Sequence, residues 1–318
     1  MSSATSPVRS IGESHLTVAP RVLTKRRARG AQLRGWLFVI PALVAYAAFV
    51  LWPIVQTFRY SFYNWDGVNP AQWAGVQNYK TVFGNEQLVG VIGHAFELIL
   101  FFSGVPVVLG LAVATVMRRF VTGRIGAVAR TVLFLPQVVP LVAAGIAWSW
   151  MLSTSGVVDQ VLSNIGLGNW AQAWLGGFNT ALPAVGVIGA WVLLGLCTVL
   201  LYAGMTKIDP ALYEAAQLDG ARPLREFLAV TLPALRQEVA VCVTVTVIAA
   251  LSAFDIVYIS TQGGPGNATM VPGLEIYQLA FYNRQVGLAS ALALVLMVLV
   301  IACILPVQWF ARRGAAEQ

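Results

Sequence analysis

Long apolar runs alternate with short polar segments along this chain, and six of the runs are long enough to cross a bilayer. They fall at about 36–57, 95–117, 131–152, 182–203, 239–259 and 289–310. A hydrocarbon core about 30 Å thick needs about 20 helical residues, so the pattern predicts an all-α integral membrane protein with six transmembrane helices. The first run is too long for the roughly 7–15-residue core of a cleaved signal peptide and is expected to stay as a helix.

Between the fourth and fifth runs lies a polar, punctuated segment, 209–233. Asp209 is a good N-cap and Pro210 suits the first helical position, so a short helix should run from there to about Leu218. Gly220 should end it in a left-handed conformation. Pro223 can open a second short helix, for which Arg222 is a poor cap, and Pro233 is expected to end that helix before the fifth span. The result is a helix-turn-helix elbow too short and polar to stand alone. On its first helix Leu212, Ala215, Ala216 and Asp219 share a face at spacings of three and four. Small alanines there let the backbone sit deep in a groove of another protein, with Glu214 and Asp219 supplying charge at the rim. The alternative is an amphipathic helix lying at the membrane surface. Such helices usually carry Lys or Arg on the polar face, whereas this one carries Glu and Asp.

Composition agrees with the pattern. The chain is 58% hydrophobic and 10% charged, with a mean hydropathy of +0.74; soluble domains are roughly 45–50% apolar and about 25% charged. A net charge of +7 would suggest nucleic acid in a soluble protein, but position decides otherwise. With both termini inside, only Arg59, Lys80 and Arg284 of the 20 basic residues fall in outer segments. That asymmetry predicts a multi-pass protein with both termini and the elbow in the cytoplasm. Residues 1–33, rich in Ser, Thr and Arg, read as a disordered basic arm, and 34–318 as the membrane domain.

Little else in the chain carries chemistry. Cys197, Cys242 and Cys303 sit inside apolar runs as small buried hydrophobes. His15 lies in the arm and His94 near the end of the second run, so no catalytic or metal-binding constellation is expected. The prolines in or near spans (Pro41, Pro53, Pro106, Pro136, Pro140, Pro183 and Pro306) read as kinks in a bundle. Glu97 and Asp255 lie close to the outer ends of their runs. In the fifth run Thr244, Ser252, Asp255 and Tyr258 fall along one stripe, which suits either a solute path or hydrogen bonding between helices. No G-x-x-x-x-G-K-[ST] occurs, so the chain does not hold ATP in a P-loop.

Several motifs carry a family resemblance. Glu214-Ala215-Ala216, three further residues, Gly220, nine more and then Val230-Thr231-Leu232-Pro233 resembles the EAA signature of the permease subunits of bacterial ABC importers. Valine stands at 230 where isoleucine is commoner, and Gln237 stands where many relatives have another proline. Asp219-Gly220-Ala221 and Phe227 resemble the carbohydrate-uptake branch. So do Phe134-Leu135-Pro136-Gln137-Val138-Val139-Pro140 and the stretch from Thr261 to Thr269, and the Gly263-Gly264-Pro265 loop is similar to the MalF/UgpA-like type.

The resemblance implies a type I importer permease whose elbow, through Glu214, Ala215, Ala216, Asp219 and Gly220, is a cytoplasmic coupling helix. It implies as partners a second permease in a heterodimer, ABC ATPase subunits that bind ATP and Mg, and an extracytoplasmic binding protein that delivers a sugar or sugar-like solute. No cofactor is expected in this chain, and its partners besides proteins are the lipids of a bacterial cytoplasmic membrane rather than nucleic acid. An ion-coupled secondary transporter, or an importer for a solute such as glycerol phosphate, is the alternative.

Overall fold

The computed structural model describes residues 39–121 and 123–315, with side chains to Arg312; the arm expected at 1–33 lies outside the described residues. The chain divides into two units, 1–54 and 55–318, and the division falls within the first long helix, Val39–Tyr60. The apolar side chains Val44, Phe49 and Trp52 on this helix are exposed. A helix this apolar over its length suits a membrane span.

Four helices among the described residues are long and apolar enough to span by themselves: Val39–Tyr60, Glu86–Phe120, Ala181–Met205 and Val286–Arg312. Two bent pairs bring the number to six if each is one span: Gly123–Val138 with Leu141–Met151, bent by 95°, and Pro223–Ala234 with Arg236–Leu251, bent by 72°. These are called the first to sixth spans in chain order, and the Arg236–Leu251 helix is the fifth.

The fourth span is the axis of the second unit. Val185, Ile188, Cys197 and Leu201 are fully buried along it. Helices cannot be driven together in lipid by the hydrophobic effect, so close approach depends on small residues. A Cβ on Gly110 of the second span would lie 3.2 Å from both Cys197 Cβ and the Thr198 backbone nitrogen, and a Cβ on Gly195 would overlap the Leu133 carbonyl of the third span. Across the second and fifth spans the buried Thr246 hydroxyl donates to Ser103 Oγ at 2.7 Å. Across the fifth and sixth, Gln308 Nε2 donates to Thr244 Oγ1 at 2.8 Å.

Three prolines share one local device. A π-turn precedes each: Ala47–Leu51 before Pro53, Leu100–Gly104 before Pro106, and Phe227–Thr231 before Pro233. In each case the residue just ahead of the proline donates its N–H five residues back. The widened turn makes room for the ring, which would otherwise strike the carbonyl four residues back.

This arrangement revises several expectations. Pro233 does not end the elbow's second helix: the π-turn carries the helix past it to Ala234, and the chain bends at Leu235. The second span begins at Glu86 rather than at 95, because Asn85 Oδ1 accepts from the N–H groups of Gln87 and Leu88 and caps the helix. Its first two turns include Glu86, Gln87 and Gly90, which hid them from a hydropathy reading. Glu97 therefore lies well inside the helix and not at its end. The third span breaks at Val139–Pro140, and the fifth stops at Leu251 before a short helix, Asp255–Ser260.

The ends of the unit opposite the elbow are tied together by loops. Tyr63–Asn64 and Gln72–Trp73 form a two-stranded antiparallel hairpin, with Tyr63 opposite Trp73. Asn78 Nδ2 donates at 2.9 Å to the carbonyls of both Ser61 and Tyr63. Gly287, at the start of the sixth span, donates its N–H to the Trp65 carbonyl at 3.2 Å. The loop between the fifth and sixth spans is bonded to itself through Thr261, Gly264 and Thr269. His94 Nδ1 of the second span donates to the Met270 carbonyl at 2.8 Å and fastens it.

Candidate functional site

The elbow forms as its sequence dictates. Asp209 Oδ1 accepts from the Ala211 N–H at 2.9 Å, and the helix runs Pro210–Leu218. Gly220 has φ +72°. Its N–H donates to the Gln217 carbonyl, and that of Ala221 to the Ala216 carbonyl. This pair of bonds is the Schellman closure, which satisfies two carbonyls that a helix end otherwise leaves bare. Arg222 caps nothing with its side chain, and Pro223 opens the second helix.

The helix's two sides do different work. Tyr213 is 5% exposed, with its hydroxyl 3.1 Å from Thr231 Oγ1 and the Arg118 guanidinium 3.5 Å from its ring centre. Gln217 Nε2 donates to Glu226 across the two arms at 3.2 Å. Away from this anchored side, Leu212, Glu214, Ala215 and Asp219 are exposed, and Ala216 is half-buried at the edge. Leu218 and Leu224 are 89% and 70% exposed beside them. Apolar side chains left bare next to a small-residue face on a polar segment are what a protein-docking surface presents. At the base, Lys207 Nζ lies 3.3 Å from Glu238 Oε1 and joins the ends of the fourth and fifth spans; an exposed pair of this kind contributes at most about 1 kcal/mol.

The sequence pattern singled out the face of Leu212, Ala215, Ala216 and Asp219 but not Tyr213, Thr231 and Arg118, which anchor the other side. The signal was the Arg118-Arg119 pair at the end of the second span, read only as a marker of topology, and the tyrosine on the opposite side of the helix from Leu212 and Ala215.

The second feature is a half-open cavity of about 480 Å³. It lies where the third span breaks, with Gln137, Val138, Val139 and Pro140 in its wall, and where the fifth stops, with Ser252, Ala253, Phe254 and Asp255. Irregular backbone within a membrane bundle is tolerated where it is buried in protein or faces a cavity.

Of the four residues of the expected stripe, the cavity takes Ser252 and Asp255. Thr244 instead donates to the Ala240 carbonyl and accepts from Gln308. Tyr258 stacks on Phe254 at 5.3 Å and meets the edge of Tyr277 at 5.8 Å. The stripe divides because the helix ends at Leu251, so 3.6-residue spacing no longer carries across to Tyr258. Gln137 is the polar residue that the stripe did not include. Among the described residues no group of three or more His, Cys, Asp or Glu side chains could hold a metal ion.

Comparison with known proteins points the same way. Residues 106–314 match the family described as "Binding-protein-dependent transport system inner membrane component". The chain is 31% identical over 284 residues to a probable ABC transporter permease protein, YurN, of Bacillus subtilis, covering 89% of this chain and 97% of that one. It is also 31% identical to the trehalose/maltose transport system permease protein MalF of Thermococcus litoralis, over 88% of this chain and 93% of the relative. In fold it is similar to a chain of a bacterial alginate ABC transporter, crystallised with an alginate pentasaccharide-bound periplasmic protein. That match has a TM-score of 0.74 at 23% identity and covers 92% of this chain and 97% of the other.

Proposed function

Because this chain belongs to the family of binding-protein-dependent transport system inner membrane components, we propose that it is the permease subunit of an ATP-driven importer for a sugar or sugar-like solute. It forms the membrane path together with a second permease of the same kind, and a binding protein delivers the solute. The sugar assignment draws on the relative named for trehalose and maltose. The basic residues, seventeen of twenty in inner segments, orient the chain with both termini and the elbow in the cytoplasm of a bacterial cell.

The observation that carries the reading is the elbow, an exposed small-residue face rimmed by Glu214, Asp219 and Leu218 and backed by the anchored Tyr213. The chain has no P-loop, so ATP and Mg belong to separate ATPase subunits, for which this face is the docking point. Closure of the ATPases would displace the elbow. The displacement reaches the second span through Arg118 and the fourth and fifth through their short connections, and the spans rock to open the path to one side or the other.

The test is to purify the tagged chain from its native host and measure uptake of its solute in membrane vesicles. Co-purification of a P-loop ATPase, with uptake that stops on ATP depletion and survives a protonophore, supports the proposal. Uptake that survives ATP depletion and collapses with the protonophore would identify an ion-coupled secondary transporter instead.

A further inference from the structure

The turn from the second span into the third gathers positive charge that nothing in the chain neutralises. Residues 118–130 hold Arg118, Arg119, Arg124 and Arg130 and no acidic residue. Among the described residues the one ion pair is Lys207 with Glu238, so none of the four arginines has a carboxylate partner. Three of them rest on aromatic rings instead: Arg118 on Tyr213 at 3.5 Å, Arg130 on Tyr202 at 4.9 Å and Arg119 on Phe120 at 5.8 Å. A guanidinium seated on a ring keeps the N–H groups along its edge, which match the oxygens of a phosphate in pairs. Glu226 shares a cavity wall with Arg118 and Arg119, but it belongs to the elbow and already accepts from Gln217.

The apolar side chains set between these arginines say what carries the phosphate. Phe120 is 72% exposed, Ile125 76% and Val128 62%. Ile125, Val128 and the exposed Val132 recur at spacings of four and three along the third span, with Arg124 at the head of their stripe. A free phosphate or nucleotide makes no use of bare apolar side chains. A phospholipid meets both features at once, its phosphate at the arginines and its acyl chain along the stripe. Arg130 lies about 9 Å farther along the helix than Arg124, yet its side chain turns back toward the start. A Cβ on Gly126, one turn nearer that end, would sit 3.7 Å from Arg130 Nη1. That is how an arginine snorkels from hydrocarbon toward the headgroups.

We propose that this turn is a binding site for an anionic phospholipid of the leaflet on the elbow's side. Arg119 and Arg124, both exposed, donate to the headgroup phosphate, Arg130 supports it from deeper in the leaflet, and Phe120, Ile125 and Val128 meet the acyl chain. Because the adjoining Arg118 holds Tyr213, the bound lipid steadies the end of the span that grips the elbow. The site needs a bilayer but neither cargo nor ATPase, so it stands or falls apart from the importer reading.

The test takes the full chain, with the subunits that co-purify, in micelles carrying equal amounts of phosphatidylglycerol and phosphatidylcholine. Native mass spectrometry reads which phospholipid stays on this subunit when it is ejected from the complex. Selective retention of phosphatidylglycerol is expected. Arg119→Gln with Arg124→Gln should weaken that retention about thirtyfold, the share of two arginines in the attraction to an anionic surface. Arg222→Gln with Arg225→Gln removes the same charge from the elbow and should leave retention unchanged. Equal retention of the two lipids by the wild type overturns the site, and equal loss in both double variants shows that the lipid follows total charge and overturns it as well. Displacement of the lipid by inorganic phosphate, but not by chloride of equal ionic strength, would make this a site for a free phosphate. Protection of the arginines from phenylglyoxal by a co-purifying ATPase, with no lipid retained, would give the surface to a protein partner. In nanodiscs, exchanging phosphatidylcholine for phosphatidylglycerol should slow amide exchange across 210–218 in the wild type and not in the Arg119/Arg124 variant; no slowing in the wild type overturns the link to the elbow.

Discussion

The Arg118 guanidinium lies 3.5 Å from the centre of the Tyr213 ring, so the C-terminal end of the second span grips the elbow between the fourth and fifth. Tyr213 is anchored twice, since its hydroxyl also meets Thr231 Oγ1 at 3.1 Å on the elbow's second arm. A cation over an aromatic ring contributes about 0.5–2 kcal/mol, toward the upper end when both are desolvated, and a neutral hydrogen bond about 1 kcal/mol. Three pieces of chain therefore converge on one side chain, which is how an elbow too short to fold alone keeps its shape.

From this convergence, Tyr213→Ala should loosen the elbow and cut solute uptake more than tenfold, while the protein still inserts in the membrane. Tyr213→Phe keeps the ring under Arg118 and loses only the hydroxyl bond, so it should retain most of the uptake. Amide hydrogen exchange across 210–231 should rise strongly in the first variant and slightly in the second. Equal uptake by wild type and Tyr213→Ala would show that the anchor does not matter to transport.

The Schellman closure gives a second expectation. Gly220 has φ +72° and nothing within 4 Å of where a Cβ would sit, so Gly220→Ala meets only the backbone penalty of the left-handed conformation, about 1–2 kcal/mol. Gly220→Pro is different in kind, because its φ is fixed near −65° and it removes the N–H that bonds Gln217. It should abolish uptake with insertion intact, and Ala216→Trp should do the same by filling the docking edge. Uptake assays with surface-label accessibility of the elbow check both; normal transport by a well-expressed Ala216→Trp protein would count heavily against docking here.

How much of this was legible in the sequence varied with the physics involved. Caps and stops are local, so Asp209, Pro210 and Gly220 announced the first arm of the elbow correctly. Pro233 misled, because a proline reads as a stop unless the π-turn ahead of it is known, and that turn is a three-dimensional accommodation. Pro140 reads as a kink, but the 95° sharpness of the break at Val139–Pro140 and the whole break at Ser252–Phe254 were invisible for a related reason. Hydropathy runs smoothly through both, and only the packing of neighbouring helices permits the backbone to open there. With the second break hidden, Tyr258 was placed on the same stripe as Ser252 and Asp255 although it belongs to the aromatic cluster with Phe254 and Tyr277. The Tyr213 anchor depends on Arg118, about a hundred residues away, and pairing at that distance leaves no local trace.

Packing of the fourth span makes a third prediction. A Cβ on Gly195 would overlap the Leu133 carbonyl, and that carbonyl belongs to backbone that cannot swing aside. Gly195→Val should therefore push the third and fourth spans apart, at a cost of about 1–3 kcal/mol or more for overpacking. The expected readout is a lower thermal midpoint in detergent and poor recovery of the folded protein. Gly90→Val, in open space on the second span, serves as the control and should leave the midpoint unchanged.

Two carboxylates outside the spans respond to pH in opposite senses. Backbone N–H groups of Val68 and then Asn69, with the Asn69 side chain, hold the Asp66 pKa below the ordinary carboxylate value. Its contribution to the loop is present above the unfolded pKa, near 4, and is lost as pH falls through the lower folded value. Glu275, on the segment joining the fifth and sixth spans, is 5% exposed with Oε2 lacking any partner, and burial raises its pKa. For a raised acid the sign reverses: its relative stabilisation is complete below the unfolded pKa, near 4.3, and is lost as pH climbs through the raised folded value. At neutral pH the upward shift opposes folding, whether the buried site holds the charge or takes up a proton to avoid it. Glu275→Gln, which keeps the shape and removes the charge, should raise the thermal midpoint at pH 7.5, and the advantage should shrink to nothing toward pH 4.5. A midpoint difference that stayed constant across this range would show that burial does not raise the Glu275 pKa above its unfolded value.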